Sequence, residues 1–145
     1  MSDRLLVDGY NVIHAWPDLR RLLGESLELA RDALVARLAV LAHVVGTEVT
    51  VVFDAHRTRT RRETEEIRDG VRVVFTRGGH SADHAIERRA YTARELGETL
   101  VVATSDSFHR DMLRGMGAAV LDASQLLRQV EAAESELAER LRALL

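Results

Sequence analysis

The chain has 145 residues, 46% hydrophobic and 30% charged, a balance that predicts one compact domain over residues 1–145. Its 20 basic and 23 acidic residues leave a net charge of −3, so any contact with nucleic acid has to be local rather than drawn by a global positive field. Cysteine is absent and every basic residue is arginine, which excludes disulfides, thiol nucleophiles, Fe–S clusters, Cys-rich zinc sites, Schiff-base lysines and the P-loop.

In chain order, the first apolar run is Leu5-Leu6-Val7, closed by Arg4 and Asp8. It is too short for a secretory signal, and no later run approaches the ~18 apolar residues of a membrane span, so a cytoplasmic location and no membrane partner are expected. Short Val- and Leu-rich runs over 5–8, 49–54, 71–75, 100–104 and 119–121 predict five strands covered on both faces. Helices are expected over 26–45, with Gly46 as its stop, and over 81–96, ended by Gly97. A third, over 107–116, is expected to bury Phe108, Met112 and Met116 at i, i+4, i+8. The last starts at Ser124, read as its N-cap, and carries Leu127, Val130, Leu137, Leu141 and Leu144. Residues 55–69 are highly charged and read as a projecting loop or short helix. The α/β alternation with right-handed crossovers predicts a three-layer Rossmann-like fold: a parallel five-stranded sheet in the order 3-2-1-4-5.

Four aspartates then fall at one edge of that sheet. Asp8 and Asp54 end the first two strands, Asp83 opens the helix after the third, and Asp106 follows the fourth. Each has a structural use of its own as a helix cap, a first-turn acid or a turn former. Together, however, four carboxylates at the crevice repel one another, and a hard divalent cation, Mg²⁺ or Mn²⁺, is what keeps them ionised. Glu87 lies four residues after Asp83 on the same helical face, either as a fifth ligand or as an exposed partner of Arg94 or Tyr91. Asn11 either holds a tight turn or offers its amide to a phosphate. Thr104 and Ser105 either bond a carboxylate or a bound water, or cap the next helix.

Leu6-Val7-Asp8-Gly9-Tyr10-Asn11-Val12-Ile13, Val51-Val52-Phe53-Asp54-Ala55-His56, Ser81-Ala82-Asp83 and Ala103-Thr104-Ser105-Asp106 resemble, in order, the motifs of the YacP-like NYN family of PIN-like nucleases. The resemblance spans essentially the whole chain. It implies a PIN/NYN fold, metal-dependent endoribonuclease chemistry and, in bacterial members, association with the translating ribosome, so RNA, mRNA in particular, is the expected partner. It also implies that Asp8, Asp83 and Asp106 carry metal and that Asp54 belongs to the acidic catalytic set. The middle loop departs from the family in being short and arginine-rich without lysine.

The residue types fit that chemistry independently. Hydrolysing an anionic phosphodiester requires a nucleophile available at neutral pH and neutralisation of charge on the pentacovalent phosphorus, and a carboxylate-held cation supplies both. Rivals fail on specific residues: a response-regulator receiver needs a lysine, and a haloacid-dehalogenase-type phosphatase needs Asp-x-Asp where position 10 is Tyr. His80 and His84 have i, i+4 spacing, but His-Glu-x-x-His is missing, and Gly78-Gly79 reads as a turn before it reads as an anion nest. For substrate, Arg57, Arg59, Arg61 and Arg62 form the densest basic segment and are expected to track RNA, against the alternative of a solvated face. The competing class is a noncatalytic PIN-like module that binds RNA or ribosome. Retention of all four aspartates argues against it.

Overall fold

The computed structural model describes residues 4–54, 62–77 and 81–145. The elements run β1 (Arg4–Asp8), α1 (Gly9–Ala15), α2 (Pro17–Leu23), α3 (Leu27–Val45), β2 (Glu48–Phe53), β3 (Thr64–Arg68), β4 (Val71–Phe75), α4 (Ala82–Glu95), β5 (Leu100–Ala103), α5 (Ser107–Gly115), β6 (Ala119–Leu121) and α6 (Ala123–Ala143). They build a six-stranded mixed sheet in the order β3-β4-β2-β1-β5-β6.

This corrects the expectation of a five-stranded, purely parallel sheet. The additional strand, β3, pairs antiparallel with β4, from Thr64 opposite Phe75 to Arg68 opposite Val71. It lies within the segment read as a projecting loop, and it escaped the apolar pattern because all five of its residues are exposed. As an edge strand it has no core face to fill; its charges protect the edge instead. Arg72 pairs with Glu65 at 2.6 Å, and Arg68 with Asp32 and Glu66, each at 2.7 Å. Asp69-Gly70, both at positive φ, make the tight hairpin between β3 and β4, a two-residue signature that was visible in the sequence.

Alternation along the strands divides the core in two. Leu5, Val7, Val49, Val51, Phe53, Val71, Val73 and Ala103 face one side, under α1, α2, α3 and α6. Leu6, Val52, Val74, Leu100 and Val102 face the other, under α4 and α5. α3 buries Ala30, Leu34, Val35, Leu38 and Leu41 and ends at Gly46, whose φ of 75° is a left-handed C-cap. Two helices, α1 and α2, occupy a stretch for which no element was expected, and Trp16 between them is 1% exposed, its indole donating to the Ala123 carbonyl at 2.8 Å. The last helix is capped by Asp122, in a reciprocal capping box with Gln125, rather than by Ser124.

The α5 expectation holds for Met116, which packs partly buried against the core, and is overturned for Phe108 and Met112. Its buried residues are His109 and Leu113, whereas Phe108 is 76% and Met112 38% exposed. The apolar stripe is offset by one residue because the helix docks on its polar histidine, and a count of apolar side chains cannot anticipate that.

Candidate metal centre

Strand parity explains how the site assembles. Leu6 faces the α4–α5 side, so Asp8, two residues on, faces it as well. β1 pairs parallel with β5, Val7 opposite Ala103, which sets Asp8 beside Thr104 on the neighbouring strand. Asp8 is the N-cap residue of α1 but makes no side-chain cap bond, and its carboxylate turns into the crevice, where Oδ2 accepts from the Thr104 hydroxyl at 3.4 Å. Gly9 follows because a Cβ there would collide with the Phe53 ring and lie 3.0 Å from the Val52 carbonyl oxygen.

α4 brings the second carboxylate. Ser81 caps it by accepting from the His84 N–H at 3.1 Å, leaving Asp83 in the first turn and Glu87 one turn on. α5 brings the imidazole. Asp106 caps α5, its carboxylate accepting from the His109 N–H at 3.2 Å, and the His109 ring is directed inward at 1% exposure. His109 Nδ1 lies 3.4 Å from Asp83 Oδ1, and Nε2 lies 3.4 Å from Glu87 Oε1. These are ion-pair distances without hydrogen-bond geometry, so both ring nitrogens are buried with no hydrogen-bond partner.

Among the described residues, Asp8, Asp83 and His109 each offer a donor atom within 4.8 Å of the others, a group able to coordinate a divalent cation. Two further observations fit such an ion. His109 keeps orphaned nitrogens in the interior, where a polar atom without a partner is costly. Burial, and then the neighbouring Asp83 carboxylate, push the Asp8 carboxyl up to about 6 from its ordinary 3.8; the Asn11 N–H, His109 and the Thr104 hydroxyl oppose this and are outweighed. A cation would supply the missing positive charge.

The other expected site residues fall around this group. Asp54, just past β2, has a buried Oδ1 with no hydrogen-bond partner and is not part of the three-residue group. Asp106 is exposed and engaged as a cap, also outside the group. Glu87 faces His109. Asn11 accepts the Ser105 N–H at 2.7 Å, and Ser105 Oγ accepts the Ala123 N–H at 2.9 Å, fastening α1, the β5–α5 turn and α6 together. Arg62 is exposed, while Arg57, Arg59 and Arg61, like Gly78, Gly79 and His80, lie outside the described residues. His109 was not singled out from the sequence. The available signal was its position three residues after Asp106, where a helix capped by that aspartate turns its first full turn back toward the strand ends.

Carboxylates from two elements and an imidazole from a third thus converge at the carboxyl edge of the sheet. The chain belongs to the YacP-like NYN domain family, whose pattern matches residues 5–144. It is 40% identical over 140 residues to the YacP protein of Bacillus subtilis strain 168, covering 97% of this chain and 82% of that one. Its fold is similar to the crystal structure of Bacillus subtilis Rae1 (YacP), with a TM-score of 0.83 and 39% identity over 98% of this chain and 81% of the other. A single-substitution variant of Rae1 matches with the same TM-score and identity, over 83% of its chain.

Proposed function

We propose that the chain is a metal-dependent endoribonuclease that hydrolyses RNA phosphodiesters, with mRNA on the ribosome as its setting. The observation that carries this reading is the Asp8–Asp83–His109 group at the carboxyl edge of the sheet. The family membership supports it, as does the 40% identity to YacP. In this reading residues 1–145 act as one cytoplasmic nuclease unit; among the described residues no helix is long and apolar enough to cross a membrane.

Asp8 and Asp83 would hold Mg²⁺ or Mn²⁺, and His109 would complete the set for Mn²⁺, Mg²⁺ preferring oxygen donors alone. When bound, the cation provides the nucleophile at neutral pH and neutralises charge on the phosphorus. The protein's own part is placement. Thr104 holds the Asp8 carboxylate through its hydroxyl, and Glu87 and Asp83 flank the imidazole. Asp106 carries the helix that presents His109 and is the remaining candidate ligand, with Asp54 as a further catalytic acid. Asn11 and Ser105 line the approach of the substrate, the fully buried Thr104 acting on it through Asp8, and Arg57, Arg59, Arg61 and Arg62 contact its backbone. Hydrolysis by water leaves a 5′-phosphate and a 3′-hydroxyl.

The test is purified protein with labelled RNA, alone and with ribosomes, in Mg²⁺, Mn²⁺ or EDTA, beside Asp83→Asn. Cleavage that needs metal and is lost in the variant is expected. Metal-independent RNA or ribosome binding without any cleavage would establish the noncatalytic module instead.

A further inference from the structure

We propose that the cavity of about 570 Å³ at the carboxyl edge of the sheet, lined by Ser105 and Arg110, is a subsite for a backbone phosphate of single-stranded RNA flanking the scissile one, with Arg110 as its cation. This rests on the nuclease reading and names where a second phosphate of that substrate sits. Trp16 and Pro17, Ser105 and Arg110, and the first turn of α6 bound the cavity. Its volume is in the range of sites that take small ligands, with room for a phosphate and its ribose.

Charge is the first argument. Arg110 Nε is buried without a hydrogen-bond acceptor, and its guanidinium joins no ion pair among the described residues. By contrast Arg4, Arg37, Arg68, Arg72, Arg88 and Arg89 each face a carboxylate. An arginine left unneutralised beside a cavity is a fork of donors waiting for an oxyanion.

Donor accounting is the second. In the first turn of α6, Ser105 Oγ takes the Ala123 N–H and Asp122 takes the Gln125 N–H, so these two amides do not serve. Ser105 Oγ accepts in that bond and keeps its own proton to donate, so the cavity offers an anion the Arg110 fork and the hydroxyls of Ser105 and Ser124. Asp122 also lines the cavity, with one oxygen committed to its cap, and Arg110 is the cation that offsets its charge.

Placement is the third. Arg110 follows His109 of the metal centre, and Ser105 follows Thr104, the residue that bonds Asp8, so the cavity is lined by the chain segments that continue from that centre. Ser105 and Asp122 stand just past the carboxyl ends of β5 and β6, so the cavity opens on the same sheet edge as Asp8, the edge along which an RNA strand held at the metal would run.

The experiment measures binding of fluorescent oligouridylate to Asp83→Asn with Arg110 native, changed to Gln or changed to Lys, using a series of oligomers each carrying one neutral methylphosphonate. Arg110→Gln is expected to raise Kd about tenfold and to flatten the salt dependence by roughly 0.7 log units. Lys should restore part of the affinity as a point charge without the fork. The native Arg110 protein should be sensitive to one methylphosphonate position to which Arg110→Gln is indifferent, a signature that a merely structural arginine does not produce. Mn²⁺ affinity of Arg110→Gln in the otherwise unaltered chain should be unchanged. Unaltered Kd and salt slope, or equal sensitivity to every methylphosphonate position in both proteins, overturns the subsite even where metal-dependent cleavage stands. Conversely, an Arg110-dependent position in a chain that shows no metal-dependent cleavage keeps the phosphate subsite and removes the nuclease.

Discussion

Replacing Asp8 by Asn should make the metal-free protein more stable at neutral pH while abolishing its chemistry. The Asp8 carboxyl stands at about 6 in the folded chain against 3.8 ordinarily, raised by burial and then by Asp83. Between those two values the native state holds a proton that the unfolded state has released, so stability falls as pH rises through this window, and above about pH 6 the full loss is present. An interval of about two pH units at ~1.4 kcal/mol each makes that loss about 3 kcal/mol. Asn has nearly the same shape, keeps an oxygen for the Thr104 hydroxyl and carries no charge. At pH 7.5 in EDTA the variant should therefore exceed the parent by up to about 3 kcal/mol, on the order of 10 °C in Tm for a chain of this size. At pH 4.5, where native Asp8 is largely protonated, most of the gap should close. Adding Mn²⁺ at pH 7.5 should reverse the ranking, because the parent gains stability in proportion to its occupied site and the variant does not. Urea titrations at both pH values, with and without metal, measure all of this. A variant no more stable than the parent in EDTA at pH 7.5, or a gap of the same size at pH 4.5, would refute the account of Asp8 as a carboxylate strained by burial and by its neighbour.

Asp83→Asn and His109→Gln should each lower cleavage by roughly 100-fold or more with the fold retained, as expected for the loss of a contact worth several kcal/mol to the transition state; circular dichroism and single-turnover assays check this. Mn²⁺ affinity, followed by calorimetry, should be nearly constant above about pH 6 and fall up to tenfold per pH unit below it, because Asp8 must shed its proton to ligate. Gly9→Ala should destabilise by about 1–3 kcal/mol in denaturant, since its Cβ meets the Phe53 ring and the Val52 carbonyl. Changing Arg57, Arg59, Arg61 and Arg62 together to Gln should weaken RNA binding for all sequences alike and flatten the salt dependence by roughly 0.7 log units per lost contact, with metal affinity unchanged.

What the sequence determined by itself was whatever rests on local pattern. Buried strands such as 49–53 and 71–75 are rich in Val, a helix such as α3 repeats its apolar residues at 30, 34, 38 and 41, and Gly46 ends it, so each announces itself within a few residues. The acidic positions were legible for the same reason, since Asp8, Asp54, Asp83 and Asp106 all stand at the ends or starts of such elements. The tertiary structure alone decided which of them meet. Asp8 and Asp83 converge because strand parity and the docking of α4 aim both side chains into the same crevice, whereas the Asp106 carboxylate is drawn to the amide of its own helix. The same docking brought His109 into the group, although a lone histidine carries no signal until the helix that holds it is rotated against the sheet. β3 remained hidden because an exposed edge strand buries nothing and so leaves no apolar period; it is specified by pairing with β4 and by the Asp69-Gly70 turn. Period and composition record what each segment buries, while distances between segments are set by how the buried faces pack, and the metal centre is made of such distances.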